Sequence, residues 1–175
     1  MAQVFTKNLP ENIESQLGRN LKAREKACDI YIYNFEASNI AADVVSSYIF
    51  SRTKLQVHTI VDKSVPSWIR DGDDVIIMSY RGTNKYIATL YPELSRTGAR
   101  IHCITSGGDL RDLCEEHGDD LLLMPSGLSV FEATGYEVAA LTDLYESMGV
   151  EGLTDRMREI IPRLKTYRDE MWDSE

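Results

Sequence analysis

Val75-Ile76-Ile77-Met78-Ser79-Tyr80-Arg81-Gly82-Thr83-Asn84 is the stretch on which the fold turns. Four apolar residues run into a hydroxyl, an aromatic, a cation, a glycine and two small polar residues, and a segment of helical spacing follows. A short apolar run bounded by turn residues is the pattern of a strand buried on both faces in a parallel sheet. Its polar continuation then falls at the strand's carboxyl end, ahead of a helix N-terminus. Open α/β sheets receive ligands there, and free backbone N–H groups favour anions. The stretch predicts a phosphate-recognising turn.

Working outward, apolar runs recur at 29–33, 55–61, 100–105 and 121–124. Segments of helical spacing lie at 37–50, 83–97, 109–117, 130–148 and 153–172, and one more, 11–26, precedes the first strand. Strands alternating with helices mean βαβ units and a parallel sheet. Right-handed crossovers make that sheet doubly wound, with helices on both faces. Asp71-Gly72-Asp73-Asp74 reads as the turn before the third strand, and Thr97-Gly98-Ala99 as the end of a helix before the fourth. Pro162 falls inside the last helical segment and predicts a kink or a split there. Without low-complexity segments, repeats or linkers, residues 1–175 read as one α/β domain. Its core lies at about 25–150, followed by a C-terminal helical segment at 153–172.

The chain has 175 residues, 43% hydrophobic and 27% charged, an ordinary globular composition large enough for a full core. No apolar run approaches the roughly 18–20 residues needed to span a bilayer. The first ten residues lack the apolar core of a signal peptide, and the expected location is cytoplasmic. Basic residues number 19 and acidic ones 28, a net charge of −9. That balance argues against a nucleic-acid groove. It leaves room for a small anionic ligand, since local N–H groups and one cation outweigh a distant field.

Four turns at strand ends are candidates for chemistry. In the 79–84 turn, hydroxyl and amide side chains suit phosphate oxygens, Gly82 permits close backbone approach, and Arg81 offers a bidentate charged contact. The plain alternative is capping, with Thr83 or Asn84 satisfying the first helical N–H groups. Thr105-Ser106-Gly107-Gly108-Asp109 repeats the small, Gly-rich character after the fourth strand, with Asp109 as expected N-cap. Two such turns on adjacent strands would converge on one crevice. Asn34-Phe35-Glu36-Ala37-Ser38-Asn39, after the first strand, has no glycine, and Glu36 opposes an anion. Ser38 is there either a ligand contact or an N-cap. After the fifth strand, Pro125-Ser126-Gly127-Leu128-Ser129-Val130-Phe131-Glu132 leads into a long helix. Glu132 either stabilises that helix through its dipole or acts as a general base on a sugar carbon.

The cysteines, Cys28, Cys103 and Cys114, are odd in number and lack metal or redox spacing. Cys28 and Cys103, at the start of or inside apolar runs, read as buried small hydrophobes. His58, His102 and His117 have no partner at metal-ligand spacing and read as structural or solvated, so no metal site is expected.

These motifs together resemble the sugar isomerase (SIS) domain, and within it the N-terminal half of the bifunctional phosphoglucose/phosphomannose isomerases. That family has a strand ending in Ser-Tyr-Ser-Gly-Asn-Thr, matched by Ser79-Tyr80-Arg81-Gly82-Thr83-Asn84. Its Ile-Thr-Ser-Gly-Gly turn is matched at 104–108. Its Pro-x-Gly-Leu-Gln-Pro-Arg-Ala-Ala-x-Gly-Tyr segment is matched in part by Pro125-Ser126-Gly127-Leu128 and Gly135-Tyr136. Its Gly-Met-Gly-Gly-Ser loop corresponds to 34–38. The resemblance spans about residues 25–170.

It implies a flavodoxin-like, three-layer αβα domain with a single sheet of five parallel strands. It also implies a phosphosugar ligand and aldose–ketose isomerisation through a cis-enediol, without a cofactor or metal. Ser38, Ser79, Arg81 and Asn84 occupy the positions that hold sugar phosphate, with Thr83 as an adjacent hydroxyl. The departures are specific: Phe35, Glu36 and Ala37 replace the Gly-rich loop, Arg81 a serine, Asn84 a threonine, and Phe131 the arginine. The family's second SIS domain, which supplies a base Glu and a His, exceeds what 175 residues hold. The segment Val130-Phe131-Glu132 also resembles single-domain hexulose-phosphate isomerases, where a Phe-Glu pair opens the corresponding helix and sites form between subunits. On that resemblance Glu132 is the candidate base and the chain is a homodimer paired through its SIS helices. The alternative is an SIS module that binds a phosphosugar without turnover.

Overall fold

The computed structural model describes residues 7–22, 24–25 and 27–172. Five strands, β1 (Asp29–Asn34), β2 (Gln56–Ile60), β3 (Asp74–Met78), β4 (Arg100–Thr105) and β5 (Asp120–Leu123), form one sheet in the order β2-β1-β3-β4-β5. Every pairing is parallel, so the sheet is the doubly wound one expected from the alternation of elements. The order reverses between β1 and β3, which makes their carboxyl ends the switch-point crevice. The central strands carry the unbroken apolar runs because both their faces are covered; all five residues of β3 are buried.

Alternation along the strands sorts the core into two halves. Ile30, Ile32, Ile76, Met78 and Ile104 face α1 (Leu9–Gln16), α2 (Asn39–Phe50), α5 (Thr134–Ser147) and α6 (Leu153–Trp172). Tyr31, Tyr33, Val75, Ile77 and Cys103 face α3 (Ile87–Ser95) and α4 (Gly108–His117). This is the three-layer αβα arrangement.

Several boundaries differ from the sequence reading. The first helix ends at Gln16 instead of running to 26. Gly18 (φ +84°) turns the chain, and the amides of Gly18 and Asn20 donate to the buried Asp143 carboxylate at 2.8 and 2.9 Å. Lys26, the expected end of that segment, lies outside the described residues. The third helical segment starts at Ile87, four residues later than expected, because the 83–86 stretch is a turn. The last helix runs unsplit through Pro162, whose ring is exposed. Gly107, not Asp109, is the N-cap of α4. Cys28 is exposed rather than buried: it precedes the first strand, outside the covered part of the sheet. Cys103 and Cys114 are buried as free thiols.

The amino end of the sheet is closed by charge. His102 on β4 places Nδ1 2.8 Å from Asp120 and Nε2 2.9 Å from Asp74. Asp74 also accepts two bonds from Arg100, and Asp120 pairs with Arg24 and Lys22. A ring nitrogen facing a carboxylate on each side favours the imidazolium. Burial opposes this, but the two acid partners raise the His102 pKa, while His102 and the Arg and Lys partners hold both carboxyls below their usual range against their own burial. His102 is therefore structural, and this cluster ties Lys22, Arg24 and Glu25 to the strand ends opposite the crevice.

Candidate functional site

The crevice is built by loops leaving β1, β3, β4 and β5. Two of them interlock, as the paired small-residue turns predicted. The Ser106 amide and hydroxyl donate to the Tyr80 carbonyl at 2.8 and 2.7 Å, and the Leu110 amide donates to the Gly82 carbonyl at 3.0 Å. The approach is so close that a Cβ on Gly82 would lie 1.8 Å from the Gly107 oxygen, and one on Gly108 2.4 Å from the Arg81 oxygen. Both glycines also have positive φ, which L side chains adopt at a cost. The loop after β5 joins through Tyr80, whose hydroxyl donates to the Pro125 carbonyl and accepts from the Leu128 amide.

Within the 79–84 turn, Ser79 is fully buried and its hydroxyl accepts the Gly82 amide at 3.2 Å, leaving its own proton for an acceptor. Arg81 is exposed and makes no ion pair among the described residues. The Asn84 side chain accepts the Tyr86 amide, a local turn rather than a helix cap. Thr83 is exposed beside it. Among the described residues the amides of Thr83, Asn84 and Lys85 donate to no group of the chain. Successive unbonded N–H groups near a cation are donors of the kind that bind anions.

The loop after β1 makes its turn without glycine. Glu36 takes a positive φ of 60°, at a position where the resembling loop has glycine. Strain of this kind costs on the order of 1 kcal/mol and persists where surrounding structure enforces it. Ser38 occupies the N-cap of α2 but makes no capping bond. Its hydroxyl donates instead to Oε1 of Glu137 at 2.6 Å. Glu137 is fully buried on α5, its Oε2 has no partner, and burial pushes its carboxyl up to about 7. Both polar atoms of the Asn34 side chain are likewise buried and unpartnered.

Glu137 escaped the sequence reading, as did Lys63, whose ammonium lies 3.5 Å from the Asn34 carbonyl and 4.6 Å from the Phe35 ring centre. The available sequence signal for Glu137 is an acid set directly before Val138-Ala139-Ala140-Leu141.

Glu132 lies in the turn ahead of α5 and is engaged locally. Its carboxylate accepts the Ser129 amide at 2.8 Å, while the Ser129 hydroxyl accepts the Glu132 amide at 3.2 Å. This is a reciprocal capping box, written in the sequence as Ser129-x-x-Glu132. The amide bond lowers the Glu132 pKa and keeps it ionised at neutral pH. Ser38, Ser79, Arg81, Thr83 and Asn84 thus lie on the loops leaving β1 and β3, and Glu132 on the loop leaving β5. Among the described residues no group of three His, Cys, Asp or Glu side chains is placed to hold a metal ion. No helix there is long and apolar enough to cross a membrane.

No family model matches the chain. Comparison with known proteins finds similarity to the bifunctional phosphoglucose/phosphomannose isomerase of Caldicellulosiruptor bescii, 30% identical over 168 residues. The match takes in 93% of this chain and 50% of that protein. The chain is similar to proteins of the sugar isomerase (SIS) domain family. It spans about half the length of this relative. Among solved structures it resembles a candidate phosphosugar isomerase from Silicibacter pomeroyi, with a TM-score of 0.66 at 14% identity, covering 94% of this chain and 55% of that one. It also resembles a Methanococcus jannaschii protein from whose structure a 3-hexulose-6-phosphate isomerase function has been inferred. There the TM-score is 0.50 at 15% identity, covering 95% of this chain and 92% of that one. At these identities the two structures speak for the fold of the SIS domain.

Proposed function

We propose that this SIS domain binds a sugar phosphate in the β1/β3 crevice and, paired with a second SIS domain, interconverts aldose and ketose phosphates of the glucose 6-phosphate and mannose 6-phosphate type. The observation that carries the reading is the 79–84 turn. It carries three unbonded amides, the exposed Arg81 and the buried Ser79 hydroxyl, which has a proton to give, and it is fixed by the loops after β4 and β5. Ser38, Thr83 and Asn84 complete the polar lining. Similarity to a bifunctional isomerase supports the substrate class.

Glucose 6-phosphate, mannose 6-phosphate and fructose 6-phosphate are expected to raise the melting temperature, and free glucose to leave it unchanged. Arg81→Ala is expected to weaken the effect. No shift with any of the three at millimolar concentration refutes the reading. A coupled isomerase assay then tests turnover, with Glu132 as proton carrier. Activity unchanged in Glu132→Gln removes Glu132 from that role. Binding without turnover is the second reading, favoured by the capping bond that occupies Glu132 and by Phe131 at the position of the family's arginine.

We further propose homodimer pairing through a groove of about 320 Å³ between α1, α2, α5 and α6, lined by Ile13, Ile40, Val44, Tyr48 and Met157. Val44 is 56% exposed there, an apolar face suited to a second copy. Sedimentation velocity tests it: Val44→Asp is expected to give monomer, and an unchanged species refutes the pairing. A cytoplasmic location fits the three free thiols.

A further inference from the structure

The Ser38 hydroxyl has one proton, and in this fold it is spent on a carboxylate. Ser38 is 1% exposed, Glu137 is fully buried, and their oxygens are 2.6 Å apart. A phosphate oxygen at the β1 loop needs donors, and a serine that donates to Glu137 offers it only lone pairs. The remaining Glu137 oxygen has no partner, and neither has the Asn34 side chain. Asn34 follows Ile30 and Ile32 on the sheet face that α5 covers, so these orphaned atoms share one side of the sheet. Buried polar groups are normally bonded, and unpartnered ones at a crevice point to a ligand or to a change of protonation.

We propose that Glu137 is a positioning residue of the crevice: its carboxyl sets whether Ser38 donates inward or toward a phosphate oxygen, so that ligand binding there takes up one proton. With Glu137 ionised, Ser38 donates to it. When a solvent proton adds to the Glu137 carboxylate, the new O–H donates to the Ser38 oxygen and the serine proton turns to the ligand. Nothing else is exchanged.

The surroundings leave Glu137 little other means of balancing charge. Glu36, on the β1 loop, is the charged group whose field reaches it, and it disfavours ionisation. On α1, Glu11 and Glu14 turn outward to Arg168 and Lys165 of α6. On α2, Asp43 is exposed. Asp143, further along α5, is held by the Gly18 and Asn20 amides. Lys63 sits at the Asn34 carbonyl. A dianionic ligand brought beside Ser38 favours protonation of Glu137 further, and binding and proton uptake are then linked.

The inference rests on the phosphosugar reading above, and its test separates the two. Glucose 6-phosphate affinity is measured by titration calorimetry from pH 5.5 to 8.5, in buffers of different ionisation enthalpy, for wild type, Glu137→Gln and Ser38→Ala. The ligand's own phosphate ionisation is common to all three and cancels in ratios. The neutral amide introduced by Glu137→Gln mimics the protonated acid, so this variant is expected to match wild type below about pH 6. Above about pH 7 wild type is expected to fall behind by about tenfold per pH unit, while absorbing up to one extra proton per site. Ser38→Ala is expected to bind more weakly throughout and to lose the excess proton. Parallel pH profiles in wild type and Glu137→Gln, without excess proton uptake, overturn this inference and leave the phosphosugar reading standing. Absence of binding by wild type and Glu137→Gln at every pH overturns both.

Discussion

Gly82→Ala tests the claim that the crevice is made by two turns locked together. At Gly82 the φ is +67°, and left-handed backbone costs an L residue roughly 1–2 kcal/mol. The added Cβ would also sit 1.8 Å from the Gly107 oxygen, a backbone atom, against an ordinary contact of about 3.4 Å. The turns would have to part by about 1.5 Å. That separation breaks the Leu110 amide to Gly82 carbonyl bond and strains the Ser106 amide to Tyr80 carbonyl bond. Leaving such groups unsatisfied costs about 1–3 kcal/mol each. The expected loss is therefore about 3–5 kcal/mol. Gly72→Ala is the control: its φ is +88°, and an added Cβ meets nothing within 4 Å, so about 1 kcal/mol is expected. Urea unfolding of both variants gives the comparison, with equal slopes required for a two-state reading. A Gly82→Ala loss within about 1 kcal/mol of the control would show that the turns are not locked, and the 79–84 turn would lose its scaffold.

Three more outcomes are expected. Glu137 has its pKa raised to about 7 from 4.5, so its neutral form favours the fold: its contribution is full below about pH 4.5 and declines as pH rises toward 7. The decline is worth about 3 kcal/mol at 1.36 kcal/mol per unit, and Glu137→Gln should remove it. Equal urea midpoints of wild type and variant from pH 4.5 to 8 contradict it. His102 has a raised pKa, so its stabilisation is full below about 6.5 and lost as pH rises through the folded value. Asp74 and Asp120 are lowered, and their share is lost in acid as pH falls below about 3.8. His102→Gln should flatten the alkaline fall and reduce the acid one, leaving the share held by Arg100 on Asp74 and by Arg24 and Lys22 on Asp120; an unchanged alkaline limb refutes the clamp. In thiol labelling, Cys28 should react at once, and Cys103 and Cys114 only on unfolding. Fast labelling of two or three thiols on the native protein contradicts the burial.

Legibility followed how local each signal was. β3 could be read from Val75 to Met78 because a strand covered on both faces has no polar alternation, and the polar run after it marks its carboxyl end. β2, at the sheet edge, is mostly exposed, and its bounds drifted by one residue at each end. The end of α1 depends on Asp143, some 125 positions away, whose carboxylate takes the Gly18 and Asn20 amides. No window around residue 18 contains that information. The role of Glu132 was written locally, in Ser129-x-x-Glu132: of its two readings, helix stabilisation or general base, the first has a partner in Ser129 that the dipole argument did not name.

Glu137 marks where local reading ends. Eleven of the 14 residues of α5 are buried, so the helix has no polar face on which an acid could be dismissed as solvated. An acid inside such a helix must be neutral, paired across the fold, or both. The sequence poses that question, and only the packing of α5 behind the β1 loop supplies Ser38 as the partner. The same packing separates the two carboxylates of this segment. Glu132 is bonded to an amide and lowered, which suits a fixed anion at a helix start. Glu137 is buried and raised into the neutral range, which suits a group whose proton comes and goes. Two acids five residues apart are thus pushed in opposite directions by their surroundings. If ligand binding in the crevice takes up a proton, Glu137 rather than Glu132 is the carboxyl poised to hold it.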